Sequence, residues 1–272
     1  MPYLVCACGI LVVFILFLLS PSRAKPNAKA PFMHRNFAHR GLYAKDQSIP
    51  ENSIAAFSAA KEKGYGVELD IQFSADKQIV VFHDDNLKRM CGCDKRVDEL
   101  SYAELCELSL KNTEYKIPLF SEVLELAGGE IPLIIELKSG KDNNLLCAEA
   151  MKLLDGYSGA YCVESFNPMI VRWFKKNRRD VLRGQLSASP KSFKNIGRFS
   201  AFCLGHLFCN VVSRPNFIAY SKNKTSPFAK LAEGMGAMTV VWTVRPDDNI
   251  TYMQEANDAV IFEYYTPNTS YR

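Results

Sequence analysis

Gly66-Val67-Glu68-Leu69-Asp70-Ile71 reads as a strand whose two acids fall where an ordinary strand would carry apolar residues. In an extended chain, successive side chains alternate between faces. Glu68 and Asp70 therefore share one face, and Val67, Leu69 and Ile71 take the other. The aliphatic face implies a cover of helices, so the carboxylates point into an enclosed interior, where an uncompensated charge costs several kcal/mol. Two like charges that close force a proton onto one of them unless a divalent cation or an arginine neutralises them. Leu133-Ile134-Ile135 then leads into Glu136 and Lys138, which repeats the pattern.

Outward from these two stretches, strand-like runs recur at residues 36–39, 66–73, 132–137, 160–165, 181–186, 217–220, 239–244 and 259–262. Helical patterns over 53–63, 121–127, 143–154, 168–176, 227–233 and 247–256 lie between them. Eight strands alternating with helices predict an α/β fold, a (β/α)8 TIM barrel over residues 35–268. In such a barrel the three carboxylates and Lys138 converge near the carboxyl ends of neighbouring strands, where barrel active sites sit. Two stretches break the alternation. Residues 84–119 form an excursion after the second strand, read as a small inserted subdomain. Residues 188–216 are the other, and their apolar run 199–212 reads as a packing helix in preference to a lipid-touching one.

With 272 residues, 48% apolar and 23% charged, the chain is neither a disordered tail nor a small disulfide scaffold. Its net charge of +4 is local: Arg23, Lys25 and Lys29 lie in an acid-free stretch of residues 1–30, leaving +1 for the rest. No nucleic-acid surface is expected, because the densest basic run, Lys175-Lys176-Asn177-Arg178-Arg179, reads as the solvated end of a helix. Nine cysteines with no C-x-x-C pair point to reduced thiols, and four histidines without ligand spacing to them argue against zinc.

Residues 1–22 carry no charge and read as an N-terminal transmembrane helix, a retained membrane anchor in preference to a cleaved signal. Positive charges on its carboxyl side would then place Arg23 onward, and with it the folded domain, in the cytoplasm, with secretion as the alternative. Residues 23–34 read as a basic, proline-containing extended linker.

His39-Arg40-Gly41 follows the first strand, and His83-Asp84 follows the acidic one. Two histidines beside an all-oxygen carboxylate cluster suit general acid–base work near a hard cation such as Mg²⁺ or Ca²⁺. His34 and His206 lack such context and read as structural or surface residues.

The ordered series His39-Arg40-Gly41, Pro50-Glu51-Asn52, Glu68-Leu69-Asp70, His83-Asp84, Lys116-Ile117-Pro118 before Glu122-Val123-Leu124, Glu136-Leu137-Lys138, Ser165-Phe166 and Trp242-Thr243-Val244 resembles the glycerophosphodiester phosphodiesterase family. The resemblance spans about residues 37–265. It implies a TIM-barrel enzyme that uses one divalent metal ion to hydrolyse small glycerophosphodiesters to sn-glycerol 3-phosphate and an alcohol. By the family's motif, His39 and His83 are the general acid–base pair, Glu68, Asp70 and Glu136 the metal ligands, and Arg40 and Lys138 phosphate contacts. Glu51 is either a ligand or a support, and Phe166 and Trp242 are candidate substrate walls. First attack by the neighbouring glycerol hydroxyl and direct attack by water both remain open, as do the head group and the oligomeric state. One departure stands out: a Thr-Asp-Tyr-Pro-like turn is common after the family's last strand, whereas this chain has Phe262-Glu263-Tyr264-Tyr265, so the resemblance gives Glu263 no role. Two other readings compete: a lysophospholipase D-type activity on substrates that keep one acyl chain, and a membrane-tethered binding protein without chemistry. The second would be expected to lack a histidine or a carboxylate, and both histidines and all three acids are present.

Overall fold

The computed structural model describes residues 2–194, 196–222 and 226–272. Nine strands form one sheet: β1 (Arg35–His39), β2 (Gly66–Phe73), β3 (Ile79–Val81), β4 (Leu133–Leu137), β5 (Tyr161–Ser165), β6 (Arg183–Ser187), β7 (Phe217–Ser221), β8 (Met238–Val244) and β9 (Ala259–Phe262). Eight of them run parallel, and the pairing of β1 with both β2 and β9 closes a (β/α)8 barrel. The exception is β3, which pairs antiparallel to β2 and starts the inserted segment. Sequence periodicity had not separated this short strand from the excursion.

The helices begin where the sequence supplies caps. Ser53 accepts from the Ala56 amide, while Asn167 and Ser226 each precede a proline in the first turn. Their apolar faces bury Val67, Leu69, Ile71, Leu133 and Ile135 against Phe57, Val123, Leu146 and Phe174, which confirms the alternation read from the acidic strand. Inside, the lower part of the barrel is filled by Phe37, Ile134, Cys162, Phe217, Met238 and Ile261. Gly66 leaves room for this filling, since a Cβ there would meet the Phe37 ring at 2.4 Å. The interior is thus apolar at one end and charged at the other, and register sets the boundary. His39 lies level with Glu68, and Asp70 with Glu136 and in turn Glu164.

The inserted segment packs its own small core around Phe82, Leu87, Met90, Val97, Leu105 and Ile117. The apolar run 199–212 is not one helix. It divides into Arg198–Gly205 and Asn210–Ser213 around Leu207, a buried residue held at φ 63°.

The amino end departs from expectation. Among the described residues, no helix is long and apolar enough to cross a membrane. The helix Pro2–Leu19 has 18 residues, about 27 Å at 1.5 Å per residue, against a hydrocarbon core of about 30 Å. Its last turn is committed to the barrel. Leu19 is buried among Leu207, Ile218 and Tyr220, Asn210 Nδ2 donates to the Leu19 carbonyl, and Arg214 donates to those of Phe17 and Ser20. The expected transmembrane anchor is therefore not found, and the charges that were to orient it no longer assign a side. Residues 23–34 are not extended either: Pro26–Lys29 forms a helical turn, and Phe32 is buried with its ring 6.0 Å from Phe37.

Candidate active site

The charged end of the barrel is its carboxyl end. Glu68, Asp70 and Glu136 are buried there, and each offers an oxygen within 4.8 Å of the others. Oxygens bound to one hard cation at roughly 2.0–2.6 Å lie no more than about 4–5 Å apart, so the cluster fits a single Mg²⁺ or Ca²⁺. Lys138 Nζ sits 3.0 Å from Glu136 and 3.4 Å from Asp70. Burial raises the Glu68 carboxyl well above the usual range, and the Asp70 charge adds to it. Asp70 goes the other way: burial opposes ionisation, but Lys138, His83, Arg40 and a 2.9 Å hydrogen bond from Asn52 hold it below the usual range.

The turn after β1 brings the first histidine to this cluster. Arg40 adopts φ 55° and Gly41 φ 81°, and the chain passes so close to the next helix that a Cβ at Gly41 would lie 2.7 Å from the Ala56 backbone. The turn aims the Arg40 amide at Glu68 Oε2, 3.1 Å away, and its guanidinium at Glu51, 2.6 Å away, while Arg40 Nε lies 3.5 Å from Asp70.

His39 is held by a residue that the family resemblance leaves without a role. Its Nδ1 lies 2.5 Å from Glu263 Oε1, at the end of β9. Glu263 also accepts from Tyr43 and Arg245 at 2.8 Å each. Burial opposes ionisation of Glu263, but these donors hold its carboxyl at about 2. An ionised carboxylate can only accept, so Nδ1 carries the proton. Burial and the Arg40 charge push the His39 pKa below 6.5, which leaves a neutral ring with Nε2 as its free lone pair, 3.7 Å from Glu68.

His83 is arranged in the same way from the opposite side. Its Nδ1 lies 2.6 Å from Asp84, which in turn accepts from Arg89. Arg89, on the inserted segment, also grips both Glu51 oxygens at 2.7 and 2.9 Å. With Arg40 on Oε1 as well, both Glu51 oxygens are engaged by arginines. Its geometry is that of a support joining the two histidine arms.

His83, Arg89, Glu136 and Lys138 line a cleft of about 850 Å³, with Phe166 on its wall. Phe166 and Trp242 meet edge to face with centroids 5.7 Å apart. The structure thus gathers every candidate residue at one end of the barrel. Glu164 was overlooked, although Tyr161-Cys162-Val163-Glu164 carries the same buried-acid alternation as β2. Burial raises its carboxyl well above the usual range, and Oε2 has no partner among the described residues. Nothing in local sequence marks Arg89, Tyr43 or Arg245, because their roles depend on contacts between distant segments.

Comparison with known proteins points to one family. The model of the glycerophosphoryl diester phosphodiesterase family matches residues 39–264. The chain is 35% identical over 162 residues to lysophospholipase D GDPD1 of Rattus norvegicus, a match covering 55% of this chain and 50% of the relative. It is 27% identical over 248 residues to glycerophosphodiester phosphodiesterase 1 of Homo sapiens, covering 80% and 73%. The chain thus spans about half the length of the first of these relatives. Among solved structures, an Oleispira antarctica phosphodiesterase in complex with the product sn-glycerol-3-phosphate superposes with a TM-score of 0.68 at 22% identity, covering 85% of this chain and 93% of that one. At that identity the likeness speaks for the fold.

Proposed function

The chain belongs to the glycerophosphoryl diester phosphodiesterase family, and from that premise we propose that it hydrolyses glycerophosphodiesters to sn-glycerol 3-phosphate and an alcohol. The observation that carries this reading is the cluster of Glu68, Asp70 and Glu136 set between two carboxylate-held histidines. These three acids would hold one divalent cation, Mg²⁺ or Ca²⁺, which when bound supplies positive charge for the nonbridging phosphate oxygens.

The chain's own residues account for the rest. A phosphodiester is an anion, and Lys138 and Arg40 stand ready to meet it. Arg40 Nε is buried without a hydrogen-bond partner among the described residues. His39, neutral and with Nε2 free, takes the proton of the attacking hydroxyl, which is that of water or, in a first step, that of the neighbouring glycerol, whose cyclic phosphate water then opens. The new oxygen–phosphorus bond forms as the bond to the head-group oxygen breaks, and His83 delivers a proton from Nε2 to that leaving oxygen. Glu263 and Asp84 each accept from Nδ1–H, which leaves Nε2 of the neutral His39 ring as the base and Nε2–H of the His83 imidazolium as the acid, and Glu51 ties the two halves together through Arg40 and Arg89.

The test is release of sn-glycerol 3-phosphate from a panel of glycerophosphodiesters before and after metal stripping. Activity should vanish with chelator and return with Mg²⁺, Ca²⁺ or Mn²⁺. Full turnover by protein shown metal-free by elemental analysis would refute the cation, and no turnover of any glycerophosphodiester with metal added would refute the activity.

A further inference from the structure

The end of the barrel opposite the catalytic cleft carries an excess of the other sign. Arg172 and Lys175 lie one turn apart on the helix Pro168–Asn177, and Arg179 follows just after it. Arg183 opens β6 in register with Val163, a residue of the outer core, so its side chain points outward beneath that helix. Arg214 precedes β7 and follows the turn Asn210–Ser213, which packs on the same helix. Five cations thus gather where β6 and β7 begin. Among the described residues none of them forms an ion pair, and Asp155 and Asp180 are both turned to Arg178, at 2.7 and 2.9 Å.

Arg183 is the centre of the group. It is 4% exposed, one terminal nitrogen donates to the Arg214 carbonyl at 3.1 Å, and its Nε is buried without a partner among the described residues. Burial and the Arg179 charge push its pKa down to about 10. Burial also lowers the pKa of Lys175, and the charges of Arg214, Arg183, Arg172 and Arg179 add to that effect. A guanidinium taken out of water with no carboxylate beside it is strongly penalised, and like-charged neighbours increase the penalty. An anion bound among the five would remove both penalties at once.

We propose that Arg172, Lys175, Arg179, Arg183 and Arg214 form an anion site, separate from the catalytic cleft, that takes one phosphate group. Guanidinium N–H groups match phosphate oxygens in pairs. The charges converge on one buried residue instead of running along a stripe, which suits a single phosphate and not a nucleic-acid backbone. Such a group has two sources, a soluble phosphomonoester and a lipid headgroup. Arg214 joins the cluster to the helix Pro2–Leu19 by donating to the Phe17 and Ser20 carbonyls, and Phe14 and Phe17 of that helix are exposed. A headgroup would find an apolar neighbour there, whereas a soluble phosphomonoester needs only the cations.

The experiment titrates inorganic phosphate into the full chain with Mg²⁺, by calorimetry at constant ionic strength. Phosphate should occupy a site that Lys138→Met leaves intact, because Lys138 lies at the opposite end of the barrel. Arg172→Gln and Lys175→Gln, at half-buried helix positions, should each weaken that binding by about tenfold or more, the worth of one charged hydrogen bond. Lys176→Gln removes the same charge from an exposed position of the same helix and should change the affinity by no more than about twofold. Melting curves show that each variant is folded. Sedimentation with phosphatidylcholine vesicles, with and without phosphatidic acid, separates the two sources. Binding that phosphatidic acid strengthens, with the gain lost in Lys175→Gln, assigns a lipid headgroup; phosphate binding without that gain assigns a soluble phosphomonoester. Phosphate binding that Lys138→Met abolishes, an affinity that Lys176→Gln lowers as much as Lys175→Gln does, or binding of neither phosphate nor phosphatidic acid would overturn the site.

Discussion

Replacing Glu263 with glutamine tests the site where structure and sequence differ most. The substitution keeps the shape of the side chain but removes the negative charge that accepts from His39 Nδ1 at 2.5 Å. A glutamine can turn either its oxygen or its amide nitrogen toward the ring. When the nitrogen faces Nδ1, the histidine must accept there and carry its proton on Nε2, which removes the lone pair that acts as base. A general base contributes roughly 10² to 10⁴ to turnover, so kcat should fall by about 10² or more. KM should change little, because Glu263 is a positioning residue. The pH profile gives a second, independent readout. His39 must be unprotonated to act, and its pKa already lies below 6.5 because burial and Arg40 outweigh the pull of Glu263. Without the carboxylate that pull is lost, the His39 pKa drops further, and the acid limb of kcat/KM moves to lower pH. Steady-state release of sn-glycerol 3-phosphate between pH 4.5 and 9, with a melting curve to show folding, measures both effects, and Glu263→Asp should recover part of the rate. A folded Glu263→Gln protein with near-normal kcat and an unmoved acid limb would refute the role.

Other outcomes follow from the same geometry. His39→Ala and His83→Ala should each cost about 10² or more in kcat while the fold survives; near-normal turnover by a folded His83→Ala protein would remove that residue from the exchange. Arg89→Ala should lower kcat by about tenfold through loosening of Glu51 and Asp84, and Arg89→Lys should not restore it, because a lysine cannot reproduce the fork onto both Glu51 oxygens; full rescue by lysine would show that charge alone suffices. The Glu263 carboxyl, lowered from 4.5 to about 2, links roughly 3 kcal/mol of stability to pH. That stability is present above pH 4.5 and lost as pH falls toward 2, so acid unfolding of Glu263→Gln should show a shallower pH dependence over that window. Deleting residues 1–20 uncovers Leu207, Ile218 and Tyr220 and should lower Tm by several degrees, since each kcal/mol is worth about 2–4 °C in a chain of this size; an unchanged Tm would show that the helix Pro2–Leu19 contributes nothing to the barrel.

What the sequence revealed, and what it concealed, divides along physical lines. Strand alternation is a local property, so Glu68, Asp70 and Glu136 could be placed in the interior from their aliphatic neighbours alone, and β2 runs over the residues its pattern marks. The same test would have found Glu164, had β5 been read for buried acids. Arg89 and Arg245 could not be found in this way, because an exposed arginine looks the same in sequence whether it meets solvent or a carboxylate 38 or 18 residues away. Glu263 was set aside because its motif differed, yet the register of β9 beside β1 brings it to His39. The amino end failed for a related reason. Hydropathy records that residues 1–22 are apolar, but not that Asn210 and Arg214 would take up the last carbonyls of their helix.

The distribution of charge explains why the central acids are not merely structural. Among the described residues, Glu51, Glu68, Asp70, Asp84, Glu136, Glu164 and Glu263 gather at this end of the barrel, and Arg40, Arg89, Lys138 and Arg245 oppose them. The pairing is uneven. Glu51, Asp84 and Glu263 each meet an arginine at 2.9 Å or less, so the periphery is close to neutral. Glu68, Asp70, Glu136 and Glu164 are left around Lys138 and the Arg40 that they share with Glu51, in a setting where burial and mutual repulsion raise three of the four carboxyls. A fold selected only for stability would fill such a place with apolar side chains, as this barrel does at its other end with Phe37, Ile134 and Phe217. The surplus of negative charge also opposes entry of an anionic phosphodiester unless positive charge is added at the same point. Both difficulties lie at the same oxygens, and one bound divalent cation would answer both.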